Sequence, residues 1–237
     1  AAEGFLAAGA EGVVINDSHG GMRNILIEEL NPEIELITGS PKPFSMMEGV
    51  GTEGVGTEFG AVAFVGYHAK NGVVGILSHT MMGGSINAVI VNGRELGEGG
   101  INAAIAAEFG LPVIFVAGDQ SACDEAAQDY KPLITVATKK AITRYSARSL
   151  TPQKSQKLIR AGAEQAYKAF SANPNSAKPF LQAHPCVIEL RFHNSGFCDA
   201  ASRVPGAIRL DGVTLRYEAA DFMQGYKGLR AMMSMSS

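Results

Sequence analysis

The sequence predicts an α/β protein: a three-layer α/β/α core on a mostly parallel or mixed sheet, followed by a smaller α+β C-terminal part. Three observations predict it. Short continuous apolar runs, at 12–16 and 111–117, read as strands covered on both faces. Segments with helical spacing alternate with them, as in a parallel sheet wrapped by crossover helices. Toward the end the pattern changes: Cys186, Ile188, Leu190 and Phe192 alternate with more polar neighbours, the mark of an antiparallel strand with one face in the core. The division expected from this change is 1–170 for the core and 177–237 for the tail, with a polar Asn-Pro-Asn loop between.

In chain order, residues 1–10 read as the last turns of an amphipathic helix, with Phe5 and Leu6 on its apolar side and Gly9 near its stop. The helix is entered midway and without an initiator Met, so the expectation is that an upstream segment is missing. Residues 12–16 form a strand, and Asp17, Ser18 and His19 follow it. Helical spacing at Met22, Ile25, Leu26 and Leu30 predicts a helix, and 34–37 a second strand. A perfect five-residue tandem repeat, Gly-Val-Gly-Thr-Glu twice over 49–58, reads as a duplication inside a surface loop, where insertion costs little.

Residues 61–65 predict a strand leading to His68, and 73–77 another leading to His79. A strand at 86–91 runs into Asn92-Gly93, a hairpin signal. An alanine-rich helix at 98–109, a strand at 111–117, a helix to about 129 and a strand at 134–137 complete the core. Residues 151–170 give the clearest helix, with Pro152 in its first turn. In the tail, strands at 207–210 and 213–217 flank Asp211-Gly212, and a helix closes the chain over about 220–233.

Composition narrows the function. Hydrophobic residues make up 46% and charged residues 18%, a globular balance, and the net charge is −3. A phosphate backbone needs a basic face, so no nucleic-acid partner is expected. No apolar run reaches membrane length, so no membrane partner is expected. The three cysteines, Cys123, Cys186 and Cys198, are odd in number, irregular in spacing and free of any C-x-x-C, which points to free thiols and a cytoplasmic location.

Three of the five histidines, His19, His68 and His79, share one placement: each follows the C-terminal end of an expected strand, the edge where α/β sheets bind ligands. Histidine is the commonest metal ligand and proton shuttle. His184 and His193 bound the alternating strand and are assigned no role. A hydrolytic zinc site also needs a carboxylate. The candidates are Asp17, Glu48, Glu95, Glu98 and Asp119. Asp17 and Asp119 also suit helix N-caps. Glu98 stands among Gly97, Gly99 and Gly100, which let the backbone come close to whatever the carboxylate binds, although it equally suits a helix N-terminus. No phosphate loop of the G-x-x-x-x-G-K-[ST] kind occurs, and no G-x-S-x-G marks a serine hydrolase.

Several segments together carry a resemblance: Val14-Ile15-Asn16-Asp17-Ser18-His19, Lys42-Pro43-Phe44-Ser45-Met46-Met47-Glu48-Gly49, Gly66-Tyr67-His68-Ala69, Ser78-His79-Thr80, Gly97-Glu98-Gly99-Gly100-Ile101-Asn102-Ala103 and Val116-Ala117-Gly118-Asp119. In this order they resemble the zinc-dependent D-aminopeptidases of the dipeptide-transport operon type, the DppA-like family. The resemblance is continuous to about Phe170 and looser beyond. It implies a zinc aminopeptidase, with two zinc ions per complete subunit, acting on short peptides with an N-terminal D-residue. His19, His68 and Glu98 match metal ligands, and His79 matches the catalytic histidine, acting beside a zinc-activated water as proton carrier rather than nucleophile. A ring-like homo-oligomer is implied as well. Family members begin with a strand bearing an Asp-x-Glu pair of further ligands, which this chain lacks. These 237 residues alone are therefore expected to bind at most one zinc and to have little activity. The alternatives are a metal-dependent amidase or L-aminopeptidase on the same scaffold, or a non-catalytic peptide-binding protein with a degenerate site.

Overall fold

A computed structural model of the chain describes residues 1–51 and 59–236. Most of the tandem duplication, 52–58, lies outside the described residues. The elements in order are α1 (Ala2–Ala7), β1 (Val13–Asn16), β2 (Ile34–Ile37), β3 (Val62–Tyr67), β4 (Ile86–Val91), β5 (Arg94–Leu96), α2 (Glu98–Glu108), β6 (Val113–Asp119), α3 (Gln120–Asp129), β7 (Ile134–Thr143), β8 (Ser146–Ser149), α4 (Pro152–Ala172), β9 (Cys186–Phe192), α5 (Ser195–Ala201), β10 (Ala207–Arg209), β11 (Thr214–Ala219) and α6 (Phe222–Met235).

The strands form three groups among the described residues. β1 and β2 pair in parallel. β3, β6 and β7 run parallel in that order, and β8 returns antiparallel on β7. The remaining five strands, in the order β10-β11-β9-β4-β5, are antiparallel throughout. The α/β class therefore holds, with a parallel-to-mixed sheet and a separate antiparallel one. The antiparallel sheet draws β4 and β5 from residues before 170 and β9 to β11 from those after 177.

Layering follows from which side chains each strand buries. Every residue of β6 is buried. Phe115 and Ala117 pack toward Ala163 and Ala166 of α4, with Phe5 of α1 edge-on to Phe115 at 6.1 Å. Val113 and Val116 join Ile101 and Ile105 of α2 and Ala126 of α3 on the other side. A strand covered on both faces has no reason to alternate, which is why its sequence reads as one apolar run. β9 does alternate: Cys186, Ile188, Leu190 and Phe192 are buried, and the residues between them are not.

Helix α2 is buried all round from Gly100 to Ala107. Its alanines carry little side-chain entropy and let neighbouring elements approach closely. Asn92 and Gly93 both adopt positive φ, +50° and +80°, and turn β4 into β5 as the Asn-Gly pair predicts. Thr151 caps α4 through Lys154 N, with Pro152 next in line.

Two expected elements do not form. The stretch from Met22 to Leu30 is not a helix; only Ile27–Glu29 make a short 3-10 turn. The carboxylate of Asp17 takes the backbone amides of Asn24 and Ile25, and Met22 sits at φ +55°, so these backbone groups point inward to a side chain rather than along a helix axis. The expected strand at 73–77 is a series of turns. Three elements went unforeseen: the extension of β7 to Thr143, its hairpin partner β8, and α5.

Candidate metal centre

His68 follows β3 directly. Glu98 is the first residue of α2, its side chain carried into the interior by a helix that is buried on every side. His79 comes from the irregular 72–85 segment. One ligand atom from each of His68, His79 and Glu98 lies within 4.8 Å of the other two. His68 Nε2 stands 3.5 Å from Glu98 Oε2, and His79 Nε2 stands 3.5 Å from Glu98 Oε1. The two imidazoles stack at 4.1 Å between centroids.

The ring orientations are fixed from behind. His68 Nδ1 faces the carbonyl of Ala69 at 3.0 Å, and His79 Nδ1 faces the carbonyl of Leu77 at 2.7 Å. A carbonyl only accepts, so each Nδ1 carries the proton, and in the neutral ring each Nε2 presents its lone pair to Glu98. Met81 N donates to Glu98 Oε1 at 2.7 Å and so ties that carboxylate oxygen to the His79 segment. Glu98 is 7% exposed. A buried carboxylate beside two nitrogen lone pairs is an acceptor-only cluster that requires a cation or protons among its members. Ligands of a tetrahedral zinc at ~2.0–2.1 Å are about 3.4 Å apart, close to the spacing seen here, so these residues fit a zinc ion.

Of the sequence candidates, the structure brings His68, His79 and Glu98 together. His19 does not belong to that group. It lies exposed in the loop after β1, and its carbonyl accepts from the Asn24 side chain at 2.8 Å. Asp17, once a candidate ligand, is saturated by Asn24 and Ile25. Burial pushes its carboxyl up, but the hydrogen bonds from the Asn24 side chain and the two amides outweigh burial and hold it below the usual carboxylate range. Lys42, also buried, ties the same loop down by donating to Asn16 Oδ1 and to the carbonyl of Asp17. Asp119 is the N-cap of α3. Glu48 accepts from Phe44 N, and Glu95 pairs with Lys70.

Residues around the centre were not foreseen. Glu125 of α3 accepts from Lys70 N at 3.1 Å and so anchors the turn after His68; burial raises its carboxyl above the ordinary range, against the pull of that amide and of Lys70. Tyr67 takes a hydrogen bond from Asn102 at 2.8 Å and stacks on Phe64. Gly83 lies so close that a Cβ there would stand 3.0 Å from that of His79. No local pattern announces such partners, because they come from elements far apart in sequence.

An α/β scaffold with two histidines and a glutamate at its strand-end edge defines the class: a metal-centre protein of metallohydrolase type. The chain belongs to the peptidase M55 family, described as D-aminopeptidase, whose model matches residues 1–231. It is 34% identical over 230 residues to the D-aminopeptidase of Bacillus subtilis (strain 168), covering 97% of this chain and 80% of that one. Its structure is similar to that of the "Zn-dependent D-aminopeptidase DppA from Bacillus subtilis, a self-compartmentalizing protease", with a TM-score of 0.90 at 32% identity, covering 98% of this chain and 82% of that one. No helix among the described residues is long and apolar enough to cross a membrane.

Proposed function

We propose that the protein is a zinc-dependent aminopeptidase that releases an N-terminal D-residue from short peptides. The observation that carries the reading is the convergence of two imidazole Nε2 atoms on a buried glutamate, in a chain of the D-aminopeptidase family. In this reading His68 and Glu98 hold the metal; His19, which stands outside their compact group, is kept as a proposed ligand on the family resemblance alone. Zinc supplies Lewis acidity there, polarising the scissile carbonyl and acidifying water.

His79 supplies the proton transfer. Its Nδ1 is committed to Leu77 and its Nε2 faces the centre, so Nε2 takes a proton from the attacking water and returns it to the leaving amine. The side chain of His79 is 28% exposed against 20% for His68, which supports giving His79 the role that must reach substrate. A second reading makes His79 a ligand, favoured by its equal 3.5 Å approach to Glu98.

The solved relative is named a self-compartmentalizing protease. A ring-like homo-oligomer is proposed for this chain on that basis. Ile142 and Tyr145, 68% and 75% exposed at the β7–β8 turn, support it as a contact surface, with Leu77 of the His79 segment hydrogen-bonded alongside through Arg144. Three buried, unpaired thiols support a cytoplasmic setting; burial pushes those of Cys123 and Cys186 up to about 11, and Cys198 upward too.

The test is hydrolysis of matched D-Ala and L-Ala dipeptides before and after chelation, with zinc then restored. The reading expects D-Ala turnover that chelation abolishes and zinc recovers. Equal or greater L-Ala turnover would move the protein to the L-aminopeptidase alternative, and zinc binding without turnover would move it to the peptide-binding one.

A further inference from the structure

The segment from Gly72 to Leu77 has no strand ladder, yet it delivers His79 to the centre. Its backbone groups are gathered by partners distant in sequence. Ile76 N donates to Asp119 Oδ2 at 2.9 Å, Leu77 N donates to the carbonyl of Arg144 at 2.8 Å, and Ser121 Oγ donates to the carbonyl of Val74 at 2.7 Å. Leu77 is held at φ +53°, where a branched side chain does not sit unless its surroundings impose it. The carbonyl of that same Leu77 orients His79.

Asp119 is the best placed of these partners. It is the last residue of β6 and 1% exposed. Its Oδ1 caps α3 by accepting from Ala122 N at 2.9 Å, the single bond that an N-cap needs. Its Oδ2 is not needed for the cap and goes to Ile76 instead. Gly75 makes room for it: a Cβ there would stand 3.2 Å from Asp119 Oδ2 and 3.3 Å from the Ala69 Cβ. A residue chosen only as a cap needs one oxygen, and no glycine packed against the other.

We propose that Asp119 is a positioning residue for the peptidase reaction: its second carboxylate oxygen fixes Ile76, hence the Leu77 carbonyl, hence the direction in which His79 Nε2 points. The inference rests on the aminopeptidase reading for its kinetic effect, but not for its structural one. Asp119 lies outside the His68–His79–Glu98 group and acts through the segment that carries His79.

The experiment compares Asp119→Ser, Gly75→Ala and Thr151→Ala with wild type. Serine keeps a cap on α3 with one oxygen and loses the bond to Ile76. The Gly75 variant wedges the segment away from Asp119 while leaving Asp119 and the cap intact. The Thr151 variant removes a cap of the same kind from α4, far in sequence from the His79 segment. Two quantities are read: kcat and KM on a D-Ala peptide, and amide hydrogen exchange over 72–80 in zinc-free protein. Asp119→Ser and Gly75→Ala are expected to lower kcat about 10- to 100-fold, the usual cost of losing a partner that orients a site histidine, with KM within about twofold. Exchange over 72–80 should quicken about tenfold in both, as for one lost hydrogen bond. Thr151→Ala should change neither. Wild-type kcat and exchange in Asp119→Ser and Gly75→Ala would overturn the proposal. If Asp119→Ser does not fold, Gly75→Ala decides alone. If wild type shows no turnover, the function reading has failed, and exchange over 72–80 still decides whether Asp119 holds the segment.

Discussion

Glu98 and His79 meet at one centre but arrive by opposite routes. Glu98 rides on a helix whose next residues, Gly100 to Ala107, are all buried, so its position is set by packing shared over many side chains. His79 rides on a segment without regular structure, placed by a few hydrogen bonds and flanked by Leu77 and Met81 at positive φ. The contrast teaches that a site can draw rigidity from two sources. Packing spreads the load, so one substitution in it costs stability; a hydrogen-bonded segment concentrates it, so one substitution costs geometry.

The predictions test that contrast. Glu98→Ala removes the carboxylate both rings face. It should lose bound zinc and more than about 100-fold in kcat/KM, beyond the cost of a partner outside the ligand set, read by metal analysis and peptide hydrolysis. Retained zinc and activity would dissolve the centre. Ile105→Ala, two helical turns further into the same core and 0% exposed, should lower stability by about 2–5 kcal/mol in denaturant unfolding while leaving kcat within about twofold. A selective fall in kcat without a fall in stability would break the comparison, since α2 would then be as sensitive as the His79 segment.

Asp17→Asn sharpens the contrast from the β1 side, where one carboxylate again organises an irregular segment. It should cost about 2 kcal/mol, the scale of hydrogen bonds to a charged group. The Asp17 carboxyl lies below its ordinary value in the folded protein, so its contribution is present above the unfolded value near 3.9 and is lost as pH falls through the folded one. The difference between wild type and Asp17→Asn should therefore be full near neutrality and shrink below about pH 4, followed by unfolding midpoints across pH. A difference that stays constant with pH would show that the Asp17 charge is not what organises the segment.

These routes also decide what could be read from the sequence. β6, α2, α4 and the Asn92-Gly93 turn were legible because their causes are local: periodicity, caps and turn residues lie within a few positions of one another. Glu98 was legible for the same reason, at a helix start between glycines. Residues 73–77 were misread as a strand because Val73, Val74, Ile76 and Leu77 are the letters of one. What forbids the strand is Asp119 and Ser121, 43 and 47 positions away from the residues they hold. The helix expected over Met22 to Leu30 failed similarly, since its apolar spacing says nothing of an Asp17 carboxylate taking its amides. His19 shared the strand-end placement of His68 but stands outside the compact group, so that placement marks a candidate edge of the sheet and not a shared point in space.

The central claim is that His68 holds the metal while His79 acts beside it. Zinc affinity, measured by competition titration of wild type, His68→Ala and His79→Ala, tests it most directly, with D-Ala peptide hydrolysis on the same samples. The account predicts that His68→Ala weakens zinc more than about 10-fold and loses activity, whereas His79→Ala binds zinc within about twofold of wild type and loses activity just as fully. Equal weakening in both variants would contradict the division of roles and make His79 a ligand; unchanged affinity in both would contradict the centre itself.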